Sequence, residues 1–195
     1  MSAQPSCAGA RPGPPPLPLT PPPWQVRVAE DHGPDLDLVV RWMNAPHVAA
    51  YWNQAWPPSW WAKEIAEQRA GKHSLPCIAL ADGEALAYLQ LYRVCRDRLG
   101  ALYPAGEHDL GVHIAIGETA RTGRGLGRSL LRVVADGLLA ADPACRRIVA
   151  EPDLRNTPSL RAFAAAGFRR YGEVALREKL AALLIRPRTE EDLPR

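Results

Sequence analysis

Apolar positions recur along this chain with two periods, and the switches between them predict its elements. Trp24 to Ala29 reads as a strand. Leu36, Val39, Val40 and Met43 repeat at helical spacing, which predicts a helix over Asp35 to Met43 starting just after Pro34. Pro46 to Trp52 predicts a second short helix with proline in its first turn. Trp56 to Ser59 is a loop, with Ser59 the expected N-cap of a helix over Trp60 to Ala70. Leu75 to Ala81 and Ala85 to Val94, joined at Asp82-Gly83, predict a β-hairpin. Arg96 to His108 is polar and irregular, and is expected to be a surface loop.

The second half alternates more regularly. Asp109 to Ile116 predicts a strand, the glycines at 123, 125 and 127 a loop, and Leu126 to Ala141 a helix with an apolar stripe of Leu126, Leu130, Val133, Val134 and Leu138. Arg147 to Ala150 follows as a strand, Glu151 to Asn156 as a polar turn, and Pro158 to Ala166 as a short helix. Phe168 to Val174 and Lys179 to Arg186 predict two last strands. This order implies the α/β (α+β) class, a mixed and mostly antiparallel sheet flanked by helices.

Composition narrows the picture. A chain of 195 residues with 47% apolar content suits one domain. The net charge of +3 is small and evenly spread, which argues against nucleic acid or a membrane surface as partner. Cys7, Cys77, Cys95 and Cys145 form no C-x-x-C pair and lack metal-ligand spacing, so no metal is expected and a reduced, cytoplasmic setting is. No apolar run is long enough to span a bilayer. Residues 1–23 are proline-rich and expected to be a disordered tail, 24–187 the folded domain, and 188–195 a fraying tail.

Candidate chemistry concentrates between Asp109 and Phe168. Strand alternation puts Leu110, Val112, Ile114 and Ile116 on one face and Asp109, Gly111, His113 and Ala115 on the other, so His113 lies on the small, polar face within reach of a ligand. Gly123, Gly125 and Gly127 at a helix N-terminus suit a phosphate-bearing ligand, with Arg121, Arg124 and Arg128 adding charge. No Lys-Ser/Thr pair follows, so this is not a Walker loop, and the G-x-G-x-x-G spacing of a dinucleotide site is missing.

The loop resembles the acyl-CoA motif R/Q-x-x-G-x-G/A of the GNAT N-acyltransferase superfamily. Gly125 and Gly127 match its glycines, and Thr122 stands in the usual Arg/Gln place. Asn156 to Phe168 resembles the superfamily's Asn-containing helix ending in Gly-Phe, with Phe163 where many members carry a proton-donating tyrosine. Trp42 to Trp52, His113 and Glu151 to Asn156 together are similar to the siderophore-biosynthesis branch, the relatives of lysine N-acyltransferases.

The resemblance implies a sheet splayed between its two central strands, with acetyl-CoA or succinyl-CoA as co-substrate. It implies His113 and Asp153 as the catalytic pair, and Ile114, Ile116, Arg121, Gly123, Arg124, Gly125, Leu126, Gly127, Arg128 and Asn156 as CoA contacts. His47, Trp52, Asn53 and Trp56 are expected to wall the acceptor pocket. The implied acceptor is a small amine or hydroxylamine (lysine, hydroxylysine, hydroxyornithine or hydroxycadaverine), acylated by a monomer or homodimer. An aminoglycoside N-acetyltransferase and a non-catalytic acyl-CoA-binding module are the alternatives.

Overall fold

The computed structural model describes residues 12–194. Seven strands form one sheet in the order β1-β2-β3-β4-β5-β7-β6. They are β1 (Trp24–Val28), β2 (Ser74–Ala81), β3 (Glu84–Arg93), β4 (Leu110–Ile116), β5 (Arg147–Ala150), β6 (Arg169–Ala175) and β7 (Leu180–Pro187). The helices are α1 (Gly33–Met43), α2 (Pro46–Trp52), α3 (Pro58–Ala70), α4 (Leu126–Ala141) and α5 (Thr157–Ala165). All pairings are antiparallel except β4 with β5. The expected class and element order hold.

Side-chain alternation sorts the core into layers. Leu110 and Val112 of β4 pack with Leu130, Leu131, Val134 and Leu138 of α4 and with Phe163 of α5. The opposite face of the β1–β4 half packs under α1 to α3, where Trp42, Trp61, Ile78, Tyr88 and Ala115 are buried together. Asp82 and Gly83 both adopt positive φ, as a two-residue hairpin turn requires. Helix α3 begins two residues earlier than expected, with Pro57 at its cap and Ser59 inside it, because Pro58 is preorganised for the first helical position.

The sheet opens at its parallel pair. Strands β4 and β5 pair only at Leu110 with Ile148 and Gly111 with Val149. Beyond that point the chain follows β7 instead: Ala182 N donates to Pro152 O at 3.0 Å and Leu154 N to Leu180 O at 3.0 Å. Pro152 has no N–H to offer a neighbour on the β4 side, and β4 runs on unpaired along that edge.

Three expectations change. Residues 96–108 are not a simple surface loop, because Leu99 and Tyr103 are buried against Val149, Leu183 and Ile185. Residues 188–194 are tied down: Arg188 donates to Cys145 O at 2.9 Å and to Asp142 O at 3.0 Å, and Thr189 and Asp192 form a capping box. Residues 12–23 lie as a strap across α4, while residues 1–11 fall outside the described ones. A proline-rich segment offers carbonyls but few N–H donors, and here Arg93 supplies them. Its Nε donates to Gly13 O at 3.1 Å and Nη2 to Pro14 O at 3.3 Å, while Nη1 reaches Asp142 at 2.7 Å.

Where the strap crosses α4, Leu19 N donates to Gly137 O at 3.2 Å. A Cβ on Gly137 would stand 2.4 Å from Leu19 O. The gain in helix propensity on replacing glycine by alanine, about 1 kcal/mol, does not offset a backbone clash of that kind. Gly137→Ala should therefore lift the strap and lower stability by about 1–2 kcal/mol. Urea unfolding measures the loss, and new protease cleavage within residues 12–23 reports the lifting.

Candidate active site

The gap between β4 and β5 opens into a cavity of ≈ 1040 Å³. Gly117 N bonds toward β3, to Leu86 O at 2.9 Å, so by alternation the backbone groups of Val112, Ile114 and Ile116 face the gap. At the far end lie Thr122, Gly123, Gly125, Gly127 and Arg128. Gly125 caps α4 with φ 81 and has no side chain to satisfy the first-turn amides. Those amides and the helix dipole favour an anion there.

His113 stands on the opposite face of β4 from the α4 core, with a side chain 32% exposed. Its Nε2 meets Glu151 Oε1 at 2.5 Å, and its Nδ1 faces Gln90 Oε1 at 3.3 Å. Tyr92 donates its hydroxyl to Glu151 Oε2 at 2.7 Å, and Lys179 Nζ lies 3.8 Å from Oε1. The Tyr92 ring sits where a Cβ on residue 111 would fall, 1.9 Å from its nearest ring atom, so glycine at 111 admits the ring. Burial pushes the Glu151 carboxyl up, but the charge and hydrogen bond of His113, then Lys179 and Tyr92, outweigh it and hold the group at about 2.

Asp153, expected as the partner of His113, is engaged elsewhere. Its carboxylate accepts from Arg155 N at 2.8 Å and from Arg155 Nη2 at 2.7 Å, with its backbone bridged to Ala181. The carboxylate beside His113 is Glu151. Sequence reasoning grouped Glu151 with the polar turn and did not single it out.

Other expected residues divide. Ile114, Ile116, Gly123, Gly125, Gly127, Arg128 and Asn156 line the cavity, although the Asn156 side chain also caps α5 by accepting from Ser159 N at 3.1 Å. Arg121 instead turns to the β2–β3 hairpin, 3.3 Å from Glu84. Leu126 packs into the α4 core, and Arg124 does not line the cavity. His47 lines the wall but both its nitrogens are used, Nε2 on Ile116 O at 3.0 Å and Nδ1 with Thr119 Oγ1 at 3.0 Å. It therefore ties the end of β4 to the following loop. Trp52 meets the His113 ring edge-on at 5.7 Å and, with Asn53, lines the cavity. Trp56 packs against Trp60 and Trp61 and is not among the lining side chains. Phe163 is buried against Phe168 and lines the cavity.

Residues 31–176 match the family model described as an acetyltransferase (GNAT) domain. The chain belongs to the GNAT acetyltransferase family. It is 42% identical over 159 residues to lysine N-acyltransferase MbtK of Mycolicibacterium paratuberculosis, covering 82% of this chain and 71% of that one. It is 31% identical over 149 residues to N-hydroxyputrescine acetyltransferase of Acinetobacter baumannii, covering 76% and 71%. Among solved structures, the aminoglycoside acetyltransferase AAC(6')-Ib in complex with ribostamycin and coenzyme A superposes with a TM-score of 0.75 at 25% identity, covering 85% and 93%.

The GNAT site suits acyl-CoA. The turn at Gly125 exposes amides that a diphosphate would accept from, and the unpaired edge of β4 offers further backbone groups to an extended arm. Among the described residues no helix is long and apolar enough to cross a membrane.

Because Glu151 is depressed from 4.5 to about 2 in the fold, its contribution to stability is present above pH about 4.5 and disappears as the pH falls through about 2. Wild type should thus be more stable than Glu151→Gln at neutral pH, the difference shrinking across that acid window. Urea midpoints measured along the pH series give the curve, and a difference independent of pH would contradict the assignment.

Proposed function

We propose that this protein transfers an acyl group from acyl-CoA to the side-chain amine or hydroxylamine of a lysine-like acceptor, a step of hydroxamate siderophore assembly in the cytoplasm. The observation that carries the reading is the His113–Glu151 pair at the closed end of the β4–β5 gap. The relatives named for lysine and for N-hydroxyputrescine support the acceptor class.

A lysine-like ammonium has a pKa of about 10.4 and must lose a proton before its nitrogen attacks. His113 takes that proton, and Glu151 stabilises the imidazolium that forms. Glu151 accepts from Nε2, so the added proton goes to Nδ1, where Gln90 Oε1 at 3.3 Å accepts from it. Unpaired amides on β4 donate to the acyl oxygen as negative charge develops on it. The C–N bond forms as the C–S bond breaks, and the nitrogen sheds its second proton to solvent. Phe163 has no proton to give, so the proton held by His113 is the one this site offers the departing sulfur. Trp52 packs edge-on against the imidazole and, with the buried aromatic layer behind it, fixes the ring's orientation.

The fold likeness to an aminoglycoside acetyltransferase keeps a second reading open. A polycationic acceptor calls for an acidic wall, whereas Lys179 and Arg98 line this cavity beside Glu151 and Glu178. The lysine-like acceptor is therefore preferred.

Replacing His113 by alanine should lower kcat by about 10²–10⁴-fold while calorimetry finds CoA affinity retained. Steady-state assays with N6-hydroxylysine, lysine and ribostamycin as acceptors test this. Undiminished turnover would remove His113 from the chemistry, and turnover confined to ribostamycin would favour the second reading.

A further inference from the structure

Lys179 is a cation of the reactive cavity that the acyl transfer described above does not use. It closes the β6–β7 hairpin, whose turn is locked by Leu176 N on Lys179 O at 2.9 Å and Lys179 N on Leu176 O at 3.3 Å. The next residues are held too, since Leu180 O and Ala182 N bond the segment after β5. The backbone that carries Lys179 is thus fixed on the wall opposite β4. Its side chain is only 14% exposed and lines the cavity.

The ammonium is poorly satisfied by the protein itself. Among the described residues its ion-pair partner is Glu151 Oε1 at 3.8 Å, too long for a hydrogen bond. That oxygen is already engaged by His113 at 2.5 Å, and the other carboxylate oxygen takes the Tyr92 hydroxyl at 2.7 Å. A largely buried ammonium has three donors to place and bears a desolvation cost while they stay unpaired. Beside it, Glu178 is locked in a two-pronged pair with Arg98, which contributes a bond of 2.8 Å, so neither of those groups supplies the missing acceptor.

We propose that Lys179 binds a carboxylate of the bound substrates, close to the reacting centre. Glu151 Oε1 lies between the imidazole and the ammonium. A group that meets Lys179 is therefore a short chain away from the atom that meets His113. Two substrates can present such a carboxylate: an acyl donor of the succinyl type, through its distal end, and an amino-acid acceptor, through its α-carboxylate. The shared chemistry is an anionic oxygen pair on an aliphatic chain, which an ammonium in a low-dielectric wall attracts more strongly than it would in water. The inference rests on the proposed acyl transfer and adds to it a reason for discriminating among substrates that make the same diphosphate contacts.

The test compares substrates in pairs, so that a general effect of Lys179 on Glu151 cancels. Succinyl-CoA against acetyl-CoA, with N-hydroxycadaverine as acceptor, isolates the donor carboxylate. N6-hydroxylysine against N-hydroxycadaverine, with acetyl-CoA as donor, isolates the acceptor carboxylate. For Lys179→Met, the kcat/KM ratio of carboxylate-bearing to carboxylate-free substrate should fall by roughly ten- to hundredfold in one of the two pairs, and Lys179→Arg should restore most of it. A fall in the donor pair identifies the acyl group as the source, and a fall in the acceptor pair the amino acid. Unchanged ratios in both, or an equal loss for every substrate, would overturn the proposal. Calorimetric binding of the same four compounds to wild type and variant makes the comparison without turnover. Absence of turnover in wild type would then count against the proposed reaction, and equal binding losses against the role of Lys179.

Discussion

A single buried carboxylate bridges the break in the sheet. Where β4 and β5 part, two registers of backbone pairing are all that joins the halves, and every further bond across the gap must come from side chains. Glu151 bonds Tyr92 from β3 and His113 from β4, while Lys179 of the β6–β7 hairpin stands at ion-pair distance, 3.8 Å. An unpaired carboxylate in that position would be expensive to bury, whereas one with several donors is held ionised and in one orientation. The opening that exposes the backbone of β4 to a ligand is thus spanned by a charge network at its closed end, and the same network presents the imidazole to the cavity.

The choice of Glu151 over Asp153 follows from register. Val149 pairs with Gly111, so extending the parallel register by two residues sets Glu151 opposite His113. Asp153 shares the same side-chain parity but lies two residues further out, where Arg155 captures it locally. Alternation along the chain could place His113 on the accessible face of its strand, because that needs only the period of β4. Naming the carboxylate it touches needs the offset between two strands thirty-odd residues apart, which a single sequence does not display. The helices Pro46 to Trp52 and Leu126 to Ala141 were readable to the residue, since each carries its own punctuation: a proline that opens the first and a glycine that opens the second.

Elements whose partners are distant were the ones misread. The proline-rich strap looks unable to fold by its own composition, and so it is; its order comes from Arg93, whose guanidinium meets carbonyls some eighty positions earlier in the chain. The loop at 96–108 looks polar because its arginines and acids outnumber Leu99 and Tyr103, yet those two residues are buried with Val149, Leu183 and Ile185. Tyr103 and Arg147 both bond Asp109, at 2.8 and 3.1 Å, and burial raises that carboxyl even so. The loop is braced from beneath at the base of β4, and Arg98 reaches the cavity from this braced segment.

The two ends of the cavity are built from different materials, and this explains how the chain tolerates its departure from the family loop pattern. At the diphosphate end the donors are backbone amides at Gly125 and the start of α4, which depend on conformation and not on side-chain identity. Thr122 can therefore replace the usual Arg or Gln, and Arg121 can leave for Glu84, without dismantling the cradle. Around Glu151 the charged and hydroxyl groups are side chains, drawn from β3, β4, the segment after β5 and the β6–β7 hairpin. The two ends thus differ in how sequence encodes them: the glycine turn is a local feature of one segment, whereas Tyr92, His113, Glu151 and Lys179 meet only in three dimensions.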